Sequence, residues 1–408
     1  MQKNRFYGKI KRKKKGFFIK NPNGKKFRQK TGGKRFMKFV CSGMILSEAA
    51  FTVSKACAVK TTTPVLECIK IEAKNDTLTL TAYDGEISIE KKISAEVLDE
   101  GEVCVNGKFF SDFVGKISHS EVIVSAEEKG VIIEYGESET FMQTLPADDF
   151  PIFNGATIAE ENYFETKEED LKELISKVVF CAATDDSRPI LKGCLLETKE
   201  DKLTATALDG FRMACSYCDT TVSEGQKIKI VCPARTLTEI SRMLDNGSET
   251  LKIFADKNRL SVAVKDTVIT SRLYVGEFVK KETIYPVAFT TKTKVQRSEL
   301  LQSVERAAVL IRGDKNNLVV FDIKNGKILI TANSDMGKVE ESVPAQIEGK
   351  ELKIAMNGKY LSDALKALEE ETVELSFNSS VSPFTIENEN DKRCQYLVLP
   401  VRTSASAQ

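Results

Sequence analysis

Hydrophobic positions along this chain follow a helix period and a strand period in turn, and the alternation recurs three times. Leu46, Ala50, Val53 and Cys57 fall at i, i+4, i+7 and i+11, the spacing of one helix face. Strand-like runs at 66–71, 78–82 and 87–93 follow, separated by Asn-Asp and Asp-Gly turns. A second helical stretch places Phe109, Phe110, Phe113, Val114 and Ile117 on one buried face, and runs at 122–125, 131–135 and 140–145 complete the set. The same order returns with Leu171, Leu174 and Val178, then Leu237, Ile240 and Leu244. It returns again with Leu300, Val304 and Ala308, then Leu361, Leu365 and Leu368. Each copy predicts two halves, and each half is a helix followed by a short antiparallel meander.

Landmarks between the periodic stretches keep the same distances. Leu46, Leu171 and Leu300 open the three copies, about 125 positions apart. An acidic turn follows 35 to 38 residues later, at Asp84-Gly85, Asp209-Gly210 and Asp335-Met336-Gly337. A basic residue (Lys108, Arg235, Lys359) heads the second helix of each copy. A unit this long is no solenoid repeat, whose period is roughly 20 to 50 residues, but a domain with its own core. The predicted fold class is α+β: three tandem copies of a helix–antiparallel-sheet domain, at 37–159, 160–290 and 291–408. Linkers are expected at 149–160 and 280–293, which are rich in charge, Pro or Thr and carry no period. Three domains of one design suggest an arc or ring with a geometric job.

Composition changes this picture at the N-terminus. Residues 1–36 carry 15 Lys or Arg and no acidic residue, while residues 37–408 carry 45 basic and 59 acidic side chains, a surplus of 14 negative charges. The basic stretch has no period and reads as disordered. It is either a basic arm with nonspecific affinity for nucleic acid or a start-site artefact, Met37 being the true first residue. An acidic body repels DNA at long range, so any DNA contact by the body needs basic groups gathered on one surface. No apolar run approaches the roughly 18 residues of a membrane span, and no secretory signal opens the chain. Most of the ten cysteines lie in apolar patterns, as Cys57, Cys68, Cys104 and Cys181 do, which fits reduced thiols in the cytoplasm.

Catalytic and metal chemistry find little support. His119 is the single histidine, in a Ser-His-Ser loop context, so multi-histidine metal sites are excluded. Cys215-Ser-Tyr-Cys218 has half a zinc ribbon's spacing without the other half. No GxxxxGK[ST], GxGxxG or GxSxG motif occurs. The three turn aspartates could form a metal-binding cluster in a nucleic-acid enzyme, but Asp and Gly are also what a tight turn requires. No cofactor and no metal is expected. The helices repeat a different pattern: Lys108 with Lys116, Arg235 with Arg242 and Lys359 with Lys366, joined by Lys55, Lys172, Lys177, Arg306 and Arg312 from the first helices. Such residues on six helices of an acidic protein predict a basic inner surface. Lack of Trp and of an aromatic run argues against base stacking.

Several motifs together resemble one family, the bacterial β sliding clamps, the processivity subunit of replicative DNA polymerase. They are Thr63-Pro64-Val65-Leu66, Leu145-Pro-Ala-Asp-Asp-Phe-Pro151, Asp186-Ser-Arg-Pro-Ile-Leu-Lys-Gly193, Ala205-Thr-Ala-Leu-Asp-Gly-Phe-Arg212 and Tyr396-Leu-Val-Leu-Pro-Val-Arg402. The likeness runs from Met37 to Arg402. It implies a head-to-tail homodimer, a six-domain ring around duplex DNA with helices lining the hole and sheets outside. Retention would be topological, with weak and sliding phosphate contacts. Lys55, Lys60, Lys108, Lys116, Lys177, Arg235, Arg242, Arg306, Lys359 and Lys366 would face the DNA.

The resemblance also implies a peptide pocket between the second and third domains, which captures short linear motifs of the replicative polymerase, the clamp loader and repair proteins. Its wall would include Leu191, Leu208, Gly210, Phe211, Arg212 and Met213 from the second domain. Val279 and Ile284 would come from the second linker. Leu397, Val398, Leu399, Pro400, Val401 and Arg402 would come from the last strand. Phe211 replaces a more usual His or Tyr, and residues 279–283 lack the usual Pro, which implies a greasier pocket. Residues 403–408 extend beyond the usual end. For the dimer contact, Phe141 would meet Val309 and Leu310, with Glu340 and Glu341 nearby. A carboxylate-dependent enzyme and a scaffold that does not bind DNA are the competing readings.

Overall fold

The computed structural model describes residues 18–20, 26–28, 37–117, 121–128, 130–151, 162–223, 227–311 and 317–402. Within the basic extension, Phe18–Lys20 and Lys26–Arg28 pair as an antiparallel ladder, Ile19 opposite Phe27, where the sequence predicts no regular structure. The chain divides into two compact units. One comprises residues up to Ser54 with Thr62–Leu80 and Lys92–Phe150; the other comprises Lys55–Thr61, Thr81–Lys91 and Pro151–Gln408.

In the first unit, helix α1 (Gly43–Ser54) buries Leu46, Ala49, Ala50 and Val53, so the predicted stripe is real, although Cys57 lies beyond the helix end. Helix α2 (Gly107–Val114) is capped by Asn106, whose side chain accepts from the Phe109 amide at 3.0 Å. Its apolar face is narrower than expected. Phe110 and Val114 are buried, whereas Phe109 is 54% exposed and Phe113 is half-buried against Tyr135, ring centroids 5.8 Å apart. One sheet orders its strands 138–142, 130–135, 121–127, 37–42 and 96–99, all antiparallel, with Met37 and Phe39 in the core.

Sequence and structure part company after α1. The strand predicted from residue 66 begins at Cys68, because Pro64 starts a 3-10 turn over Pro64–Glu67. Strands Glu96–Asp99 and Gly101–Asn106 are also present and were not expected.

The second unit holds the second and third copies. Helices α3 (Glu168–Val178), α4 (Ala234–Met243), α5 (Arg297–Leu310) and α6 (Gly358–Ala367) bury Leu171, Leu174, Val178, Leu237, Ile240, Leu300, Val304, Leu361 and Leu365 as the periodicity predicts. On α5 the third inward position is Ala307 rather than Ala308. Two antiparallel seams run through this unit. Strand Arg212–Asp219 pairs with Cys394–Val398, joining the second copy to the third, and residues 87–91 pair with Thr267–Arg272.

The acidic turns are built by hydrogen bonding, as the turn reading requires. Asp84 Oδ1 accepts the amides of Glu86 at 2.9 Å and Ile87 at 3.0 Å, with Gly85 at φ 103°. Asp209 Oδ1 accepts those of Phe211 at 2.9 Å and Arg212 at 3.0 Å, with Gly210 at φ 91°. The third turn differs: Ser334 Oγ takes the acceptor role for Met336 at 3.2 Å, and Asp335 is exposed.

Candidate functional site

An apolar cluster forms where the second copy, the linker after it and the last strand meet. Leu191, Leu208, Met213 and Leu397, all expected pocket residues, are buried together with Leu195, Val231 and Phe278. Val279 and Ile284, from the linker, pack half-buried against this cluster beside Ile190, Tyr274 and Tyr285. At the surface around it, Phe211 is 60% exposed and Leu399 36% exposed. Gly210 and Arg402 are also exposed, and Pro400 and Val401 are half-buried. Val398 lies in the core opposite Arg212 in the strand pair. Phe278 was not anticipated, although an aromatic residue inside a polar linker is a signal. Leu195 and Val231 face each other across neighbouring strands, which only the register reveals.

Arg212 organises the edge of this site. Its Nε donates to Asp209 Oδ2 at 3.0 Å, its Nη1 to Asp363 Oδ2 at 2.7 Å and its Nη2 to the Phe180 carbonyl at 2.9 Å. The guanidinium lies 4.5 Å from the Tyr360 ring centroid and 5.5 Å from that of Phe180. Burial opposes the charge, but Cys181, Asp363 and Asp209 hold the pKa above its ordinary value. Arg212 is therefore a strut at the edge of this apolar cluster, with its Nε, Nη1 and Nη2 donors committed. Beside it Phe211 stacks on Tyr360, centroids 6.4 Å apart, so Tyr360 of α6, which was not among the expected residues, joins the surface around Phe211. The linker is pinned from the far side: Lys281 Nζ donates to Gln395 Oε1, and Tyr285 donates to Glu387 at 2.8 Å.

The basic residues divide into committed and uncommitted groups. Lys177 is a correction: it is 5% exposed and ion-paired with Glu173 one turn earlier, so it cannot present charge to DNA. Arg235 binds Asp84 and donates to the Lys55 carbonyl, Arg242 pairs with Glu239, and Lys366 pairs with Glu305 at 2.8 Å. Arg306 grips both carboxylate oxygens of Glu341, at 2.8 and 2.7 Å. Lys60, Lys108, Lys116 and Lys359 are exposed and make no ion pair among the described residues. Lys55 is half-buried.

Of the expected dimer residues, Phe141 is 53% and Val309 66% exposed, Leu310 is half-buried, and Glu340 pairs with Lys338 at 2.7 Å. Cys215 and Cys218 sit three apart in one strand, on opposite faces, with Thr206 and Thr166 hydroxyls against their sulfurs. That geometry cannot converge on a metal. His119, Arg312 and residues 403–408 lie outside the described residues.

Comparison with known proteins matches the whole repeat series. Family models described as the DNA polymerase III beta subunit N-terminal, central and C-terminal domains cover residues 37–154, 165–280 and 282–402. The beta sliding clamp of Bacillus subtilis (strain 168) is 34% identical over 379 residues, covering 90% of this chain and 100% of the relative. That of Halalkalibacterium halodurans is 32% identical over 381 residues, with the same coverage. Among solved structures, the Bacillus subtilis DNA polymerase sliding clamp superposes with a TM-score of 0.85 at 33% identity, covering 90% of this chain and 100% of that one. The Thermotoga maritima DNA polymerase III beta subunit gives 0.82 at 29% identity, with the same coverage. No helix among the described residues is long and apolar enough to cross a membrane. Three consecutive domain matches, in order and nearly end to end, place the chain in the DNA polymerase III beta subunit family of sliding clamps.

Proposed function

We propose that two copies of this sliding clamp close head to tail around duplex DNA and hold the replicative polymerase on its template by topology. One observation carries this reading: all three domains match the clamp family in tandem, and each copy presents its helix pair beside an antiparallel sheet. The protein serves polymerase processivity and has no catalytic site of its own. Of the expected DNA-facing residues, Lys60, Lys108, Lys116 and Lys359 have charge to spare for phosphate, which suits weak, sliding contact. Arg235, Arg242, Arg306 and Lys366 contribute a field already partly neutralised by their carboxylates.

The apolar cluster bounded by Phe211, Tyr360, Leu399 and the linker suits a short motif peptide with apolar anchors. Polymerase, clamp loader and repair proteins are its expected owners. A copy-to-copy contact through Phe141, Val309 and Leu310, with Glu340 at its margin, would close the ring. The test is retention: protein loaded by a clamp loader on nicked circular DNA should stay, and should be lost once the circle is cut. Persistence on linear DNA with free ends would overturn the reading.

A further inference from the structure

Residues 275–289 run from the second copy to the third and supply one wall of the apolar cluster, through Val279 and Ile284. Their backbone does little to fix that wall. Among the described residues, the backbone hydrogen bonds it makes are internal to one turn, where Thr283, Ile284 and Tyr285 donate to Lys280 and Lys281. None joins the turn to the sheet beneath. Apolar packing of Phe278, Val279 and Ile284 draws the linker down, but that attraction is non-directional and leaves the lateral position open.

Two side chains supply the direction. Lys281 Nζ donates to Gln395 Oε1 and lies 3.6 Å from Cys215 Sγ, and the Tyr285 hydroxyl donates to Glu387 Oε1 at 2.8 Å. Strand register sets these anchors in one row, with Cys215 opposite Gln395, Gln395 opposite Glu387 and Glu387 opposite Glu374. Two residues along, on the same face, Met213 lies opposite Leu397, and both belong to the apolar cluster. The linker therefore leans on an apolar row and is strapped to the polar row beside it. Glu387 and Glu374 are like charges directly opposite each other, an unfavourable pairing, and each side chain is only 16% exposed. Lys392 answers both, at 3.3 Å from Glu387 and 4.0 Å from Glu374, and Lys292 lies 3.5 Å from Glu374. On Glu387 the Tyr285 hydroxyl adds a charge-assisted hydrogen bond. Burial and that carboxylate push the Tyr285 pKa well up, so the hydroxyl remains a donor across the neutral range.

Resting on the reading of this cluster as a peptide pocket, we propose that Tyr285 and Glu387 are positioning residues for the peptide. Their hydroxyl–carboxylate bond holds the wall of Val279 and Ile284 in its binding position before the peptide arrives. Lys281 is the second pin, and its ammonium lies 5.1 Å from the Tyr285 ring centroid, so the two fastenings also brace each other. Without the hydroxyl bond the wall leaves its place for part of the time, and only the remaining fraction of the protein can bind. The apparent dissociation constant rises by the inverse of that fraction. Association slows, while a peptide already bound holds the wall itself and leaves at its former rate. A lost wall contact acts the other way, because it quickens dissociation.

The experiment measures association and dissociation rates of a labelled polymerase-derived motif peptide on the full chain and its variants. Tyr285→Phe keeps the ring and removes the hydroxyl, Glu387→Ala removes the acceptor, and Glu387→Gln keeps an acceptor oxygen in place. Tyr285→Phe and Glu387→Ala should each weaken binding about three- to tenfold, chiefly through slower association, and together should cost no more than either alone. Glu387→Gln should keep most of the native affinity. Leu399→Ala is the reference for a lost contact and should quicken dissociation. Unchanged affinity in Tyr285→Phe beside a weakened Leu399→Ala overturns the positioning role and leaves the pocket standing. So does a loss carried by faster dissociation, or losses that add in the double variant. No effect from any variant, Leu399→Ala included, sinks the pocket reading and the positioning role with it. Should a thermal melt show Glu387→Ala misfolded, Tyr285→Phe decides alone.

Discussion

The guanidinium of Arg212 donates a 2.7 Å hydrogen bond to Asp363, a residue 151 positions later in the chain. Three donors of one side chain thus hold a turn of the second domain, the end of its first helix and a helix of the third. Removing one partner of a fully buried, hydrogen-bonded ion pair costs about 3–5 kcal/mol, because the remaining charge is left uncompensated; with Asp363 27% exposed, water screens part of that cost here. Arg212→Ala is expected to lower the urea midpoint accordingly. Arg212→Lys should recover only a fraction, since one ammonium cannot span three acceptors at guanidinium geometry. Equal stability of the three proteins would count against the strut.

Leu399→Ala and Met213→Ala address the proposed peptide pocket. Each truncates an apolar wall, and each should weaken a polymerase-derived motif peptide by about 1–3 kcal/mol, the usual span for a truncated hot spot. Fluorescence anisotropy with a labelled peptide checks this. Met213 is fully buried, so its variant also needs a thermal melt to separate lost wall from lost fold.

Lys116 and Lys359 are exposed and make no ion pair among the described residues, so their charge is available to phosphate. Replacing either with Gln should reduce the slope of log affinity against log salt by roughly 0.9 per lost phosphate contact. Lys177→Gln is the contrasting variant: its slope should not move. A change for Lys177 equal to that for Lys116 would refute the division into committed and uncommitted cations.

Glu341 supplies a pH signature. The Arg306 guanidinium, with help from Ser303, holds this carboxyl below its ordinary value of 4.5. A carboxylate with a depressed folded pKa adds stability above its unfolded pKa, and that stability is lost as pH falls through the folded one. Melting temperature of the native protein should therefore drop more steeply below about pH 4.5 than that of Glu341→Gln. Parallel curves would show that the pair contributes nothing, as many exposed pairs do.

Much of the architecture was legible because it depends on local periodicity. Leu171, Leu174 and Val178 predicted the buried face of α3 from spacing alone, and Asp84-Gly85 and Asp209-Gly210 predicted their turns from side-chain chemistry. What the sequence could not reveal depends on long-range packing. Lys177 looked like its neighbours on α3, yet its backbone carbonyl accepts the Tyr396 hydroxyl from 219 positions away and its ammonium is closed in by Glu173. Phe109 read as core beside Phe110, but the buried face of α2 runs through Phe110 and Val114 and leaves Phe109 54% exposed. Phe278 joined the apolar cluster, and Tyr360 the surface beside Phe211, through contacts across the linker and α6 that have no period to read.

Nine of the ten cysteines are buried, and Cys57 is partly open. Burial pushes the Cys41, Cys104 and Cys194 thiols up to about 12, where almost no thiolate exists near neutrality. Reagents that seek thiolates will therefore find little on the native surface. With Cys57 replaced, a single cysteine introduced at any outward position becomes the one address for a dye, a spin label or a tether, and the proposed closing of two copies can be followed by optical spectroscopy one molecule at a time.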